Sequence, residues 1–356
     1  MYNFYPGPSK IYPKIKDYLT EGMDSGLLEM NHRSGPFMEL LAETIRLFKE
    51  KMLIPDDYEV FFTSSATECW EILAQSVLRG RIQFLYSGAF GKKWFKYTVT
   101  NPVTEQSGTE LPTIRGTRFF LEQNLSEAEI DLQAQAWCLV QNETSNGTAV
   151  SLSELKKLPD HGLRCFDITS SLAGQYIDFS LGDCWLASVQ KCLGLPAGLG
   201  LLICSPRAIS KAMEVNERNH YNSLLFIKEN FDKNQTHYTP NILAIYLLNR
   251  LMKDLPGIRE TDAKITRRAA DLYQFFEEET AFKPLVKNPE TRSKTVLTLT
   301  CPPNLLDMLK QKAAENKITL GNGYGEWKDS SFRIANFPAI EDHEYTFLKE
   351  FITASS

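Results

Sequence analysis

One lysine, Lys191, stands alone among small and apolar residues in the stretch LASVQKCLGLPAG, 186–198. A buried ammonium is costly unless it is paired or gives up its charge. Such a lysine either snorkels to water from a strand end or has an amine that is used for chemistry. Three other short segments bear on that choice. TSSATE (63–68) is a turn of small residues between a strand-like run and a helix-like one. Backbone N–H groups at such a helix start can hold a phosphate, although Ser and Thr are also ordinary N-caps. Asp167 closes the apolar run RCFDI and precedes ITSS, so it either caps a turn or aims a carboxylate at a bound cation. QNETSNGT (141–148) is a polar loop directly after another buried run.

A phosphate cradle, a carboxylate and a lysine, each at the end of a separate strand, are the set that pyridoxal phosphate requires. The lysine amine condenses with the cofactor, and the acidic partner keeps the pyridine nitrogen protonated so that the ring accepts electrons. A desolvated lysine titrates lower, which makes it both nucleophile and proton carrier. The same window also spells Ser188-Val189-Gln190-Lys191, the S-x-x-K of serine β-lactamases and penicillin-binding proteins. That motif needs Ser and Lys one turn apart on a helix. Here they read as a strand running into glycine, with no KTG element in a suitable context.

The elements around these residues form an alternating pattern. EVFFT (59–63), IQFLY (82–86), AWCLVQ (136–141), RCFDI (164–168), CWLASV (184–189) and LGLLICS (199–205) are continuous apolar runs of strand length. Helix patterns lie between several of them, as in TECWEILAQSVL (67–78) and FGKKWFKYTV (90–99). Strands alternating with helices predict an α/β fold with a mostly parallel sheet and helices on both faces. Ligands of such sheets sit at the carboxyl ends of the strands, where Lys191 falls. After Pro240 the pattern changes. Long helices over 241–251 and 257–279 are followed by KTVLTLT (294–300), a helix near 305–315, SFRIANF (331–337) and a last helix from Glu341. That predicts a smaller α+β C-terminal domain. We expect an extended arm over 1–14 with Pro6, Pro8 and Pro13, a large domain over 15–240, and an interdomain helix with the small domain over 241–356.

The 356 residues are 43% hydrophobic and carry a net charge of −5, enough apolar material for a large core and no basic face for nucleic acid. KKWFK (92–96) reads as a solvated helix face. The seven cysteines are odd in number, lack a CxxC pair and lie mostly in apolar runs, so they are expected to be reduced core residues. No signal peptide or membrane span is read, no metal is expected, and a cytoplasmic location follows as the expectation.

At these residues the chain resembles the class V, fold-type I aminotransferases, and within them the phosphoserine branch. The similarity runs through NFYPGPS (3–9), EMNHRSGPF (29–37), SGAFGKKW (87–94), NETSNGT, Asp167, VQKCLGLPAGLGLLI, HYTPNILAIYLLNRL (237–251) and SFRIANFPAIED (331–342). It implies a large pyridoxal-phosphate domain built on a seven-stranded sheet. Lys191 would carry the cofactor and move the proton, Asp167 would pair with the pyridine nitrogen, and Phe90 would stack on the ring. Thr144 would bond the ring's phenolic oxygen. Ser65, Ala66 and Gln190 would hold the cofactor phosphate, with Tyr238 and Thr239 reaching it from a neighbouring subunit of a homodimer with shared active sites. Arg333 would clamp the substrate α-carboxylate, and His32 and Arg33 would meet the substrate phosphate.

The resemblance implies transfer of an amino group between glutamate and 3-phosphohydroxypyruvate, with amino acids and 2-oxo acids as partners. It weakens where the substrate phosphate would bind. Thr67 stands where the family has an arginine, and GNGYGEWKDSSFR (321–333) lacks the expected His-Arg pair, offering only Lys328 against Glu326. The alternative is therefore an aminotransferase of the alanine or serine with glyoxylate or pyruvate type.

Overall fold

The computed structural model describes residues 1–100 and 113–355. It begins with a short arm strand, β1 (Tyr2–Asn3), and two helices, α1 (Ile15–Asp24) and α2 (Gly35–Met52). An alternating run follows: β2 (Glu59–Thr63), α3 (Ala66–Ser76), β3 (Arg81–Tyr86), α4 (Ala89–Thr100), β4 (Thr113–Arg118) and β5 (Ala136–Val140). A hairpin of β6 (Asn142–Glu143) and β7 (Thr148–Ala149) leads through α5 (Leu152–Leu155) to β8 (Leu163–Asp167), β9 (Cys184–Ser188) and β10 (Gly200–Cys204). Helices α6 (Pro206–Val215), α7 (Leu224–Phe231), α8 (Ile242–Asp254) and α9 (Ile258–Glu278) come next. The chain ends with β11 (Lys283–Pro284), β12 (Val296–Thr300), α10 (Pro303–Glu315), β13 (Ile318–Thr319), β14 (Gly321–Asn322), β15 (Ser331–Ala335) and α11 (Asp342–Thr353).

Seven strands form the main sheet in the order β2-β10-β9-β8-β5-β3-β4. All neighbours are parallel except β10, which is antiparallel to both β2 and β9. Strands β5, β9 and β10 are buried along their whole length, which is why they read as unbroken apolar runs. Six of the seven coincide with runs seen in the sequence. The exception, β4 (TIRGTR), is an edge strand with exposed ends and no apolar run to mark it.

The register brings the chemistry to one edge. Val140 aligns with Asp167, and Asp167 with Leu186, so the residues following β5, β8 and β9 emerge side by side. Thr63 aligns with Gly200 and Gly200 with Ser188, which carries the turn before α3 to the same edge. Gly200 has no room for a side chain: a Cβ there would lie 2.3 Å from Thr63 Oγ1 and 2.5 Å from Ser65 C. Glycine at this position lets the turn fold directly over β10. Ser188 ends β9 and residues 189–191 turn without forming a helix, so Ser188 and Lys191 lack the helical spacing of an S-x-x-K site.

A second, antiparallel sheet has the order β11-β12-β15-β14. The buried apolar residues fall into two clusters. One runs from Ile15 to Ile258 and includes the buried face of α8; the other joins Phe4 and Cys192 to side chains between Ala269 and Ile352. The arm belongs to the second. Strand β1 pairs in parallel with β13, and Phe4 is fully buried between two backbone bonds, its N–H to Thr319 O and its carbonyl from Ala335 N–H, both 2.8 Å. All seven cysteines are free and buried. No helix among the described residues is long and apolar enough to cross a membrane.

Phe4 therefore anchors the arm by packing. Phe4→Ala should cost about 3–5 kcal/mol, the range for emptying a buried phenylalanine site. Urea unfolding followed by fluorescence checks this, and a loss below about 1 kcal/mol would show that the arm is not a core element.

Candidate active site

At the carboxyl edge of the large sheet lies a cavity of about 210 Å³. Its walls are the first turn of α3 with Trp70, Phe90 and Lys93 on α4, Asn142 and Thr144 of the hairpin, Asp167 and Thr169 after β8, and Ser188, Gln190 and Lys191 after β9. Gly7 and Pro8 of the arm close it from the other side.

Lys191 points its amine into this space. Nζ donates to Pro6 O at 2.8 Å and to Thr144 Oγ1 at 3.4 Å, and lies 5.7 Å from the centre of the Phe90 ring. The arm is shaped to this amine, because a Cβ on Gly7, whose φ is +143°, would sit 2.6 Å from Nζ. Ser9 fastens the arm by donating to the carbonyls of Gln190 and Lys191. Burial, followed by the nearby Arg333 charge, brings the Lys191 amine from 10.5 down to about 8.

Asp167 is buried at the end of β8. Its Oδ1 accepts the Thr169 N–H at 2.9 Å and its Oδ2 accepts Trp70 Nε1–H at 3.1 Å. Burial raises its proton affinity above the ordinary carboxylate range, and the side chain and N–H of Thr169, with the Trp70 indole, oppose the rise.

A second buried carboxylate, Glu143, organises the stacking wall. Its oxygens accept N–H groups from Phe90 (3.3 Å), Gly91 (3.0 Å) and Ser145 (3.0 Å), and the Ser145 hydroxyl (2.6 Å). Ser145 Oγ in turn accepts the Ala89 N–H at 2.9 Å. The hairpin thus caps α4 from outside the helix, with a negative charge where the helix dipole favours one. That cap fixes Phe90, whose ring stacks on Tyr324 at 5.4 Å and 27°. Arg333, on β15, is buried beside the same hairpin, its Nε donating to Asn322 O at 2.7 Å and Nη1 to Thr144 O at 2.8 Å. Its guanidinium carbon lies 5.5 Å from the Tyr324 ring centre.

The residues expected from the sequence divide into two groups. Lys191, Asp167, Phe90, Thr144, Ala66 and Gln190 line one cavity, with Arg333 behind Thr144. Ala66 gives its N–H to Ser188 Oγ at 2.7 Å, and Ser65 stands outside the lining as the N-cap of α3, accepting from Glu68 N–H. His32, Arg33, Tyr238 and Thr239 do not line the cavity of their own chain. Arg33 is exposed and donates to Gln235 Oε1 at 2.7 Å, which places the 32–33 segment against the start of the 237–239 segment on the outer surface. Unexpected wall residues are Trp70, Lys93, Asn142, Thr169, Ser188 and the arm's Gly7 and Pro8. Trp70 sits inside a helix pattern, where nothing local marks its indole as a partner of Asp167. ITSS, directly after Asp167, is the one signal that could have found Thr169.

The sequence matches the aminotransferase class-V family over residues 1–324. The chain belongs to the class V aminotransferases. A phosphoserine aminotransferase of Rhodococcus opacus is 26% identical over 360 residues, covering 97% of this chain and 92% of that protein. The solved structure of a phosphoserine aminotransferase from Cytophaga hutchinsonii superposes with a TM-score of 0.89 at 27% identity, covering 99% of this chain and 98% of that one. An alanine–glyoxylate aminotransferase from Nostoc sp. shares the fold with a TM-score of 0.79 at 18% identity, covering 99% and 94%. The fold alone therefore does not choose a substrate.

The aminotransferase cavity suits the cofactor that such enzymes use. Asn142 Oδ1 is buried there without a hydrogen-bond partner, which leaves an acceptor in the cavity wall for a bound group. The wall residues match a pyridine carrying an aldehyde, a hydroxyl and a phosphate arm: an amine, a carboxylate, hydroxyls and a helix start.

In the cofactor-free aminotransferase, acylation of Lys191 should rise with pH and level off above about 8, whereas surface lysines keep gaining reactivity toward 10.5. Peptide mass spectrometry after brief amine labelling across pH 6–11 reads this out. A Lys191 midpoint no different from that of surface lysines would contradict the buried environment.

Proposed function

We propose that this aminotransferase binds pyridoxal 5'-phosphate in the Lys191 cavity and moves an amino group between glutamate and 3-phosphohydroxypyruvate, giving phosphoserine and 2-oxoglutarate. One observation carries the proposal: two buried cations meet at Thr144, Lys191 on its hydroxyl at 3.4 Å and Arg333 on its carbonyl at 2.8 Å. Both spend their hydrogen bonds on neutral oxygens, which leaves their charge for ligands. A cofactor on Lys191 and a substrate carboxylate on Arg333 would then lie either side of one residue. A planar guanidinium suits that carboxylate because it binds both oxygens at once.

Bound cofactor would supply an electron sink for the pair left at the substrate Cα when its proton leaves. Lys191 Nζ takes that proton, a task helped by an amine near neutral rather than at 10.5. Asp167 would hold a proton on the ring nitrogen, Phe90 would stack on the ring, and Thr144 would bond its phenolic oxygen. Ser65, Ala66 and Gln190 would hold the phosphate. The surface residues support a homodimer. Tyr238 and Thr239, with His32 and Arg33 beside them, lie off their own cavity and would complete the partner's, the first pair at the cofactor phosphate and the second at the substrate phosphate.

The chain then divides into the arm (1–14), a cofactor domain (15–240) and the interdomain helix with a small domain (241–356). Seven buried, free cysteines suit a reducing compartment, and we place the enzyme in the cytoplasm. A second reading, with unphosphorylated alanine or serine as donor, is favoured by the charges around the cavity. Thr67 brings none, Lys328 is exposed, and Glu326 is paired with Arg118 at 2.6 Å. Besides Lys191, the cavity wall contributes the cation Lys93.

Purified protein should be yellow, and borohydride should fix the colour on Lys191. Lys191→Ala should lose turnover yet still take up cofactor through its phosphate. Half-reactions with phosphoserine, glutamate, serine and alanine, followed by absorbance, separate the two substrates. A fast change with alanine and none with phosphoserine would reject the phosphorylated substrate. Arg333→Gln should raise KM for every amino acid about 10- to 100-fold, the usual worth of hydrogen bonds to a charged group. Unchanged KM would remove Arg333 from the carboxylate site.

A further inference from the structure

We propose that Trp70 is a positioning residue for Asp167, its indole N–H holding the carboxylate ionised and aimed at the cofactor's ring nitrogen. The proposal rests on the pyridoxal phosphate reading of the cavity. Asp167 is only 4% exposed, and burial favours the neutral acid, which could not keep a ring nitrogen protonated. Oδ1 accepts the Thr169 N–H at 2.9 Å and Oδ2 accepts Trp70 Nε1–H at 3.1 Å. The lone pairs left over are free for the ring N–H. An indole suits this task because it donates and never accepts, and its hydrogen bond is stronger to an ionised carboxylate than to a neutral acid.

The other tryptophans sharpen the point. Trp94 and Trp137 are fully buried, and their Nε1 groups have no partner. Trp185 gives its Nε1–H to a backbone carbonyl, that of Phe179, at 3.1 Å. Bulk in the core therefore does not require a satisfied indole here. Among the described residues, Trp70 is the tryptophan whose N–H meets a side-chain carboxylate, and it lines the cavity.

Its place on α3 adds a second function. Ala66 and Trp70 are four residues apart and share a helix face, so one rigid element holds both the phosphate wall and the donor to Asp167. Trp70 also stacks on Trp94 at 6.1 Å and 10°, with Tyr97 against its edge at 6.0 Å and 75°. Both partners lie on α4, the helix that carries Phe90. The indole thus fixes the carboxylate relative to the phosphate wall along one helix and to the stacking wall across two.

The test uses holoenzyme loaded with pyridoxal phosphate labelled with ¹⁵N in the ring. Trp70→Phe keeps an aromatic ring and removes the donor. Its ring-nitrogen signal should move toward the neutral-pyridine position, and the cofactor dissociation constant should rise about tenfold or more. Trp94→Phe removes an N–H with no partner, so it should lower the melting temperature and leave the nitrogen signal in place. If Trp70→Phe does not fold, 3-benzothienylalanine at position 70 keeps the shape of the ring system without the N–H and carries the same expectation. A signal that stays put in these variants, with cofactor affinity within about twofold, overturns the proposal. Unaltered protein that takes up no cofactor overturns the pyridoxal phosphate reading itself, and this proposal with it.

Discussion

The cost of holding charge out of water governs the arrangement of this molecule. Four ionisable side chains, Lys191, Arg333, Asp167 and Glu143, are buried within a few residues' reach of Thr144. Two are cations and two are carboxylates, yet the hydrogen bonds of each go to neutral groups. Lys191 and Arg333 give theirs to carbonyls and a hydroxyl, while Asp167 and Glu143 accept theirs from backbone N–H groups, an indole and a hydroxyl. Direct pairing would lower the energy of the empty protein and remove the attraction for a ligand. Neutral partners make burial bearable and leave the charges to be used.

Secondary structure makes this possible. Parallel strands end side by side, so β5, β8 and β9 deliver Asn142–Thr144, Asp167–Thr169 and Ser188–Lys191 to one edge. The reversed strand β10 starts at that edge with a glycine, which admits the turn before α3. Each polar partner then comes from a neighbouring element. The β6–β7 hairpin caps α4, α3 supports Asp167, and the arm meets Lys191. Changes in any of these elements reach the site through a hydrogen bond of 3.3 Å or less.

The central strands were legible because burial on both faces leaves continuous apolar runs, and Lys191 and Asp167 stood out because charge is rare at the ends of such runs. The limits were equally physical. Strand β4 pairs on one side only and needs no apolar run. Trp70 lies in an ordinary helix pattern, and its bond to Asp167 spans 97 residues of sequence. The arm reads as an extended proline-bearing segment, but its contact with Lys191, 185 residues away, has no local signature. His32 and Arg33, expected at the substrate phosphate, do not line the cavity of their own chain.

The arm also sets an order of events during synthesis. Tyr2 is synthesised well before Ile318, the residue it pairs with. Asn3 and Phe4 wait for Thr319 and Ala335 in the same way. The large sheet has all its strands by Cys204, so the Lys191 edge can assemble while the arm is still unpaired. Closure over the lysine therefore waits for the C-terminal sheet, and it requires a contact between residues far apart in sequence, with the slow search that such separation imposes. Until the C-terminal sheet forms, the amine is open to small molecules from the side that Pro6 later covers.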